Sequence, residues 1–350
     1  MDSQKYSFSS DYLEGAHPDI LNALERTNLL QTQGYGTDEY CERAKEKIRF
    51  ACDCKDAEVF FLVGGTQTNA VVIDSVLRGY EGVLSATTGH INVHEAGAVE
   101  FCGHKVLPIE SKNGKMLPQA LATYLTDFHA DASWDHMVYP GMVYLSQPTE
   151  YGTLYSLEEL KEFRRICDQY GLSLFIDGAR LAYALACPAN DVSLGDLANL
   201  CDVFYIGGTK CGALFGEAVV IPKKGFIPHF FTSIKQHGAL LAKGRMLGLQ
   251  FDTLFTNRLY ERIGQHGIEK AEQIRKLLTE NGYPFIYNSP TNQVFTIADS
   301  ETIKKLSEKI DFSLFEKYDE THTLIRFVAS WATTEEAILA LKNALTTCTV

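Results

Sequence analysis

Three short stretches of this chain carry residue types that could do chemistry together. The first is Gly64-Gly65-Thr66-Gln67-Thr68-Asn69, where glycines let backbone approach a ligand closely and the free N–H groups of a starting helix suit a phosphate. It is neither a P-loop, since no Gly-Lys-Ser/Thr occurs in the chain, nor the G-x-G-x-x-G dinucleotide fingerprint. Alone it reads equally well as a tight turn. The second is Phe175-Ile176-Asp177-Gly178-Ala179-Arg180, an apolar run ending in an acid. A carboxylate buried there must be paired, because leaving it unpaired costs several kcal/mol; a helix cap ion-paired to Arg180 would satisfy it as well as a ligand would. The third is Phe204-Tyr205-Ile206-Gly207-Gly208-Thr209-Lys210. A partly desolvated lysine amine in such a place can form an imine with a carbonyl compound, although most lysines are exposed and idle.

The combination is more specific than its parts. A phosphate cradle, an acid ~100 residues later and a lysine ~30 residues after the acid are the three anchors that pyridoxal 5'-phosphate needs, for its phosphate, its ring nitrogen and its aldehyde. The elements that must position them follow from the apolar pattern. Candidate strands are Glu58–Val63, Gly82–Ser85, Lys105–Pro108, Gly141–Ser146, Leu172–Asp177, Asp202–Gly207 and Glu217–Ile221. Helices at Gln67–Tyr80, Asn92–Cys102, Pro118–Thr126 and Leu157–Tyr170 alternate with them, the last opened by a Ser156/Glu159 capping box. This alternation predicts an α/β fold whose mostly parallel seven-stranded sheet carries helices on both faces, and in such sheets ligands bind beyond the carboxyl ends of the strands.

Past residue 225 the pattern turns helical. A helix over Asn257–Glu280 is stopped by Asn281-Gly282 and Pro284. Strands at Phe285–Tyr287, Gln293–Ile297 and Leu324–Val328, with helices at Thr302–Lys309 and at Thr334–Leu345 capped by Thr333 with Glu336, predict a smaller C-terminal α+β domain. The division falls at 1–250, an N-terminal arm and the large cofactor-binding domain, and 251–350.

Seven landmarks in register resemble the threonine aldolase family, also called β-eliminating-lyase-like, on the aspartate-aminotransferase-like pyridoxal phosphate fold type I. They are Ser9-Ser10-Asp11, Tyr35-Gly36-Thr37-Asp38, Gly65-Thr66, His90, Asp177-Gly178-Ala179-Arg180, Thr209-Lys210 and Ile325-Arg326. The stretch from Ser146 to Gly152 looks like the branch called low-specificity L-threonine aldolases. The resemblance implies cleavage of a β-hydroxy-α-amino acid such as L-threonine or L-allo-threonine to glycine and an aldehyde. It implies that Lys210 bonds the cofactor, that Asp177 keeps its ring nitrogen protonated, and that His90 stacks on the ring. Gly65, Thr66, Gln67, Arg180 and Thr209 fall at cofactor-contacting positions, and Ser10, Arg180 and Arg326 at those that bind the substrate carboxylate.

For the base that takes the β-hydroxyl proton, the chain has Thr149-Glu150 where other members carry a Thr-His pair. Glu150 is the first candidate and His94 the second. The family's sites lie at a subunit interface of a homotetramer built as a dimer of dimers, which makes Tyr35, Lys243 and Arg245 candidates for reaching a neighbour's cofactor. A β-eliminating lyase or aminotransferase using the same cofactor is the alternative, and so is a silent binding protein on this fold.

The chain has 350 residues, 45% hydrophobic and 22% charged, the composition of a globular protein with about two domains. No apolar run approaches the roughly 18 residues of a membrane span. A net charge of −12 disfavours a nucleic-acid partner and points to a small molecule. The opening MDSQKYSFSS lacks the regions of a secretory signal, and nine scattered cysteines do not form a disulfide framework; both predict a cytoplasmic protein. His90 and His94 have zinc-compatible spacing on a helix, but His-Glu-x-x-His and a third ligand are missing, so no metal is expected.

Overall fold

The computed structural model describes residues 5–346. Its central sheet has seven strands: β1 (Glu58–Leu62), β2 (Glu81–Ala86), β3 (Val106–Ile109), β4 (Tyr139–Ser146), β5 (Ser173–Asp177), β6 (Val203–Gly207) and β7 (Glu217–Ile221). Their order is β1-β7-β6-β5-β4-β2-β3. Only β7 runs antiparallel to its neighbours β1 and β6; the β6–β5, β5–β4, β4–β2 and β2–β3 pairs are parallel.

Side chains alternate across each strand, and the sheet therefore has two cores. Leu174, Ile176, Phe204 and Ile206 enter one. Phe175, Tyr205, Tyr144 and Val219 enter the other. That parity decides the direction of the polar strand ends. Asp177, two residues past Phe175, lies on the face of Tyr144 and Tyr205.

The helices are α1 (Pro18–Thr27), α2 (Glu39–Ala51), α3 (Gly65–Val76), α4 (Pro118–Ala130), α5 (Leu157–Tyr170), α6 (Arg245–Leu254), α7 (Leu259–Glu280), α8 (Ser300–Ser307) and α9 (Glu335–Thr346), with shorter ones between them. The capping box of α5 is present, with Glu159 N–H on Ser156 Oγ at 3.2 Å and Ser156 N–H on Glu159 Oε2 at 2.8 Å. Along α7 the packing partners change. Leu259, Tyr260 and Ile263 join the main core, whereas Ala271, Ile274 and Leu278 join a separate core beneath a three-stranded antiparallel sheet. Its strands are β8 (Gln293–Asp299), β9 (Ser313–Lys317) and β10 (His322–Val328), in the order β8-β10-β9.

Three local expectations fail, and one pairing was not foreseen. The helix over Asn92–Cys102 is two single turns, His90–Val93 and Ala98–Phe101, separated by left-handed Ala96 (φ 52°) and Gly97 (φ 74°). Phe285–Tyr287 forms no strand; the extra strand is β9, whose half-exposed, charge-bearing run hides the alternation. The last helix is capped by Thr334, whose Oγ1 accepts Ala337 N–H at 3.2 Å, while the Thr333 hydroxyl accepts Ser330 N–H at 2.8 Å. Finally, Tyr6-Ser7 pairs in parallel with Ile310-Asp311, which ties the N-terminal arm to the C-terminal part of the chain. The eight described cysteines are free; Cys348 lies outside the described residues.

Candidate active site

The candidate residues converge beyond the carboxyl ends of β1, β2, β4, β5 and β6. Gly65, Thr66 and Gln67 form the first turn of α3, which takes no side-chain cap, so its N–H groups remain available to an anion. A Cβ on Gly65 would approach the Tyr205 hydroxyl to 3.2 Å. The Gln67 amide oxygen accepts Val63 N–H at 3.3 Å and holds the turn against β1.

Asp177 is almost completely buried. Its Oδ2 accepts the Tyr144 hydroxyl and, at 3.3 Å, the Asn69 amide; its Oδ1 accepts Ala179 N–H at 2.9 Å. Burial raises its pKa, but the neighbouring His90 ring and the hydrogen bonds from Tyr144, Tyr205 and Ala179 carry it below the ordinary carboxylate value. The acid is held ionised in a dry place. It does not pair with Arg180, contrary to the simpler expectation. Gly178 is required here because a Cβ would sit 2.0 Å from the Tyr205 carbonyl oxygen, which lets the turn after β5 press against β6.

Arg180 turns instead to Asp11, with Nε to Oδ2 at 2.6 Å and Nη2 to Oδ1 at 3.0 Å. That fork leaves Nη1 for another anion. Arg326 on β10 donates to Gln293 Oε1 at 2.9 Å and more weakly to Ser9 O and Ser313 Oγ. Its Nε is buried without a partner, as is the Ser10 hydroxyl. Burial and the charge of Arg180 lower the Arg326 pKa to about 10. Two guanidinium groups and an unsatisfied hydroxyl held this close want a carboxylate between them.

Lys210 sits in a turn clamped on all sides. Gly208 N–H donates to Glu217 Oε2 at 3.0 Å, Gly216 N–H to Thr209 Oγ1 at 3.0 Å, and the Tyr183 hydroxyl to Lys210 O at 2.8 Å. Thr209 therefore positions the turn, its hydroxyl being bonded to Gly216 and Glu217. Burial and the charge of Arg180 lower the Lys210 pKa against the opposing pull of Asp11, Asp177 and Glu217, which makes the neutral, nucleophilic amine easier to reach. The ring of Tyr12 stands 6.0 Å from its Nζ.

Glu150 accepts His90 N–H at 3.0 Å and the Ser146 hydroxyl at 2.8 Å on the same oxygen, and burial pushes its pKa up to about 7. His90 is lowered to about 4 by burial. His94 is exposed, edge-on to His90 with ring centres 5.7 Å apart, and burial of part of its ring, with the Arg326 and Lys210 charges, lowers it too. One helical turn, closed by His94 N–H on His90 O at 2.9 Å, brings the two imidazoles into contact, and the break at Ala96 and Gly97 ends the helix just beyond them. Among the described residues no group of three or more His, Cys, Asp or Glu is placed to hold a metal.

The three residues with a neighbour in view form their own patch. Tyr35 N–H donates to Ala242 O at 3.1 Å, and Lys235 lies over the Tyr35 ring at 4.6 Å. Lys243 is exposed. Within its own chain Arg245 donates to the carbonyls of Thr27 (2.8 Å), Leu30 and Asn28 at the end of α1.

Several functional neighbours were given no role by the motifs. Asn69 and Tyr205 fall inside two of the three stretches and Tyr144 inside a strand, but nothing in their types or spacing marks them as partners of Asp177. Glu217 stood out only as an acid opening the apolar run Glu217–Ile221. A groove of about 1190 Å³ among α2, α6 and the start of α7 contains none of the candidate residues.

A family model described as beta-eliminating lyase matches residues 8–323. A low-specificity L-threonine aldolase of Pseudomonas sp. is 30% identical over 97% of both chains. The chain belongs to the threonine aldolase family. One solved relative, a threonine aldolase of Leishmania major, superposes with a TM-score of 0.95 at 39% identity, covering 99% of this chain and 100% of its own. Thermus thermophilus aspartate aminotransferase shares the fold alone, with a TM-score of 0.73 at 15% identity over 98% of this chain and 91% of its own. Threonine aldolases are thus seen here on fold type I, and both this family of lyases and the aminotransferase-like fold are pyridoxal-phosphate dependent. The residues present suit that cofactor: an uncapped helix start, an ionised buried acid, a lysine of lowered pKa, and a His90 Nδ1 buried without a partner.

Proposed function

We propose that this threonine aldolase family member uses pyridoxal phosphate to cleave the Cα–Cβ bond of L-threonine, L-allo-threonine or a related β-hydroxy-α-amino acid, giving glycine and an aldehyde. The observation that carries the reading is the grouping of Arg180 Nη1, Arg326 Nε and the unpartnered Ser10 hydroxyl beside Lys210 and the Glu150 carboxylate, whose pKa stands near 7.

Pyridoxal phosphate, when bound, supplies the electron sink for the pair of electrons left on Cα. Gly65, Thr66 and Gln67 would hold its phosphate through backbone N–H groups. Asp177, ionised, would keep the proton on its ring nitrogen. His90 would cover one ring face, and the Lys210 amine would anchor the aldehyde carbon. Arg180, Arg326 and Ser10 pin the substrate carboxylate, and this fixes which bond at Cα stands in position to break. Glu150 takes the β-hydroxyl proton at a carboxylate oxygen; His94, exposed and depressed in pKa, is the weaker base candidate. Tyr35, Lys243 and Arg245 would serve the site of a second copy of the chain in a homotetramer.

The test is an absorption spectrum of the purified protein before and after L-allo-threonine, with alcohol dehydrogenase coupled to report acetaldehyde. Yellow colour that Lys210→Ala abolishes, together with acetaldehyde, is the expected result. 2-Oxobutanoate and ammonia in place of glycine and acetaldehyde would transfer the assignment to β-elimination, and a protein that takes up no pyridoxal phosphate would end it.

A further inference from the structure

One buried acid beside the site has no part in the reaction outlined above. Glu95 is 5% exposed. It follows His94 at the point where left-handed Ala96 and Gly97 break the helix, and that break turns its side chain inward. Its Oε1 accepts the Asn69 amide at 2.8 Å, and the same Asn69 nitrogen reaches Asp177 Oδ2 at 3.3 Å. Asn69 thus ties two carboxylates together. On its other side Glu95 Oε1 lies 3.7 Å from His90 Nδ1. Both His90 Nδ1 and Glu95 Oε2 are buried with no hydrogen-bond partner. An unpartnered imidazole nitrogen and a carboxylate 3.7 Å away, one of whose oxygens has no partner and the other a lone pair to spare, are one small side-chain rotation from a hydrogen bond.

We propose that Glu95 is the positioning residue of His90: its carboxylate holds the proton on Nδ1 of the neutral imidazole, sets the ring's orientation and leaves Nε2 as the bare acceptor. This deepens the function proposed above, since it assigns what orients the ring expected to cover the cofactor, and it rests on that reading only for the ring's purpose. The physical ground is that a histidine's second nitrogen follows the bond made by its first. Other groups around the pair do not offer the same partner. Asp177, Lys210, Arg180 and His94 act on His90 through charge, and Glu150 engages its backbone N–H. Glu95 is faced in addition by Thr66, and its charge also acts on Tyr144. Burial pushes the Glu95 pKa up to about 7, so the carboxylate form that grips Nδ1–H grows as pH rises through neutrality. Below that range a protonated Glu95 loosens its hold.

The experiment is ¹⁵N magnetic resonance of the histidine-labelled protein carrying pyridoxal phosphate and no substrate, across pH 5.5–8.5 as a range of about three units around neutrality. His90 is assigned by the signal missing in His90→Asn. At high pH the wild type should show a protonated Nδ1 and a bare Nε2, with a change centred near 7. Glu150→Gln should keep that change, and Glu95→Gln should abolish it. Glu95→Asp should restore it in part. Wild-type His90 protonated on Nε2 at high pH would overturn the proposal even if no Glu95 variant folds. A Glu95→Gln titration identical to wild type would overturn it as well. Neither result depends on which amino acid is cleaved, so failure here leaves the aldolase assay to stand or fall separately.

Discussion

Arg180 and Asp11, 169 residues apart in the chain, meet through two hydrogen bonds of 2.6 and 3.0 Å in the floor of the site. Asn292 adds a third contact to Asp11 at 2.9 Å. The N-terminal arm, the main sheet and the C-terminal part of the chain are thereby joined at the point where a substrate carboxylate would bind. Burial raises the Asp11 pKa, yet the Arg180 and Lys210 charges and these hydrogen bonds bring it below the ordinary value.

Asp11→Asn keeps the shape and removes the charge, leaving a buried guanidinium without its counter-ion. Breaking a buried pair in this way costs about 3–5 kcal/mol, measurable as a lowered denaturant midpoint. Because the Asp11 pKa is depressed, the pair's stabilisation is present above the unfolded value and is lost as pH falls through the folded one; the gap between wild type and variant should therefore narrow in acid. Arg180 would also lose its orientation, and KM for the amino acid should rise more than kcat falls. Equal stability curves for the two proteins would remove Asp11 from this role.

Turnover should rise with pH as Glu150 ionises near 7. Glu150→Gln cannot accept the β-hydroxyl proton, and kcat should drop by about 10²–10⁴-fold, the usual share of a general base. Cofactor colour should be retained, since Glu150 touches His90 and Ser146 and none of the cofactor anchors. Wild-type kcat in the variant would assign the proton to another group, with His94→Asn the next comparison.

Glu217 lies beneath the lysine turn, and burial raises its pKa to about 8. A carboxyl raised on folding gives its full stabilisation below its unfolded pKa and loses it as pH climbs through the folded value. Between about pH 4.5 and 8 it should therefore subtract stability with increasing pH, by at most about 1.4 kcal/mol per unit. Glu217→Gln still accepts Gly208 N–H, and it should flatten that slope in a denaturation series. A slope unchanged from wild type would show that Glu217 ionises as freely in the fold as in the open chain.

The seven strands and the three anchor stretches were legible because apolar runs ending in Gly, Asp or Lys keep their meaning locally: a buried strand needs β-branched and aromatic residues, and its end needs a turn. The helix across Asn92–Cys102 was misread because its composition favours a helix, while the packing of Glu95 against Asn69 and His90 requires the chain to turn at Ala96. The contacts of Arg245 were not legible either, because a guanidinium goes to whichever carbonyls or anions the fold brings near, and within this chain those lie at the end of α1.

By itself, then, the sequence determined the seven strands of the main sheet, most of the helices between them and the family to which the chain belongs, all of which follow from periodicities of two and 3.6 and from motifs a few residues long. The tertiary structure alone decided which charges pair. Asp177 with Tyr144 and Asn69, Arg180 with Asp11, and Glu95 facing His90 depend on which strands and turns come together, and the ionisation of each depends on how much water that packing removes.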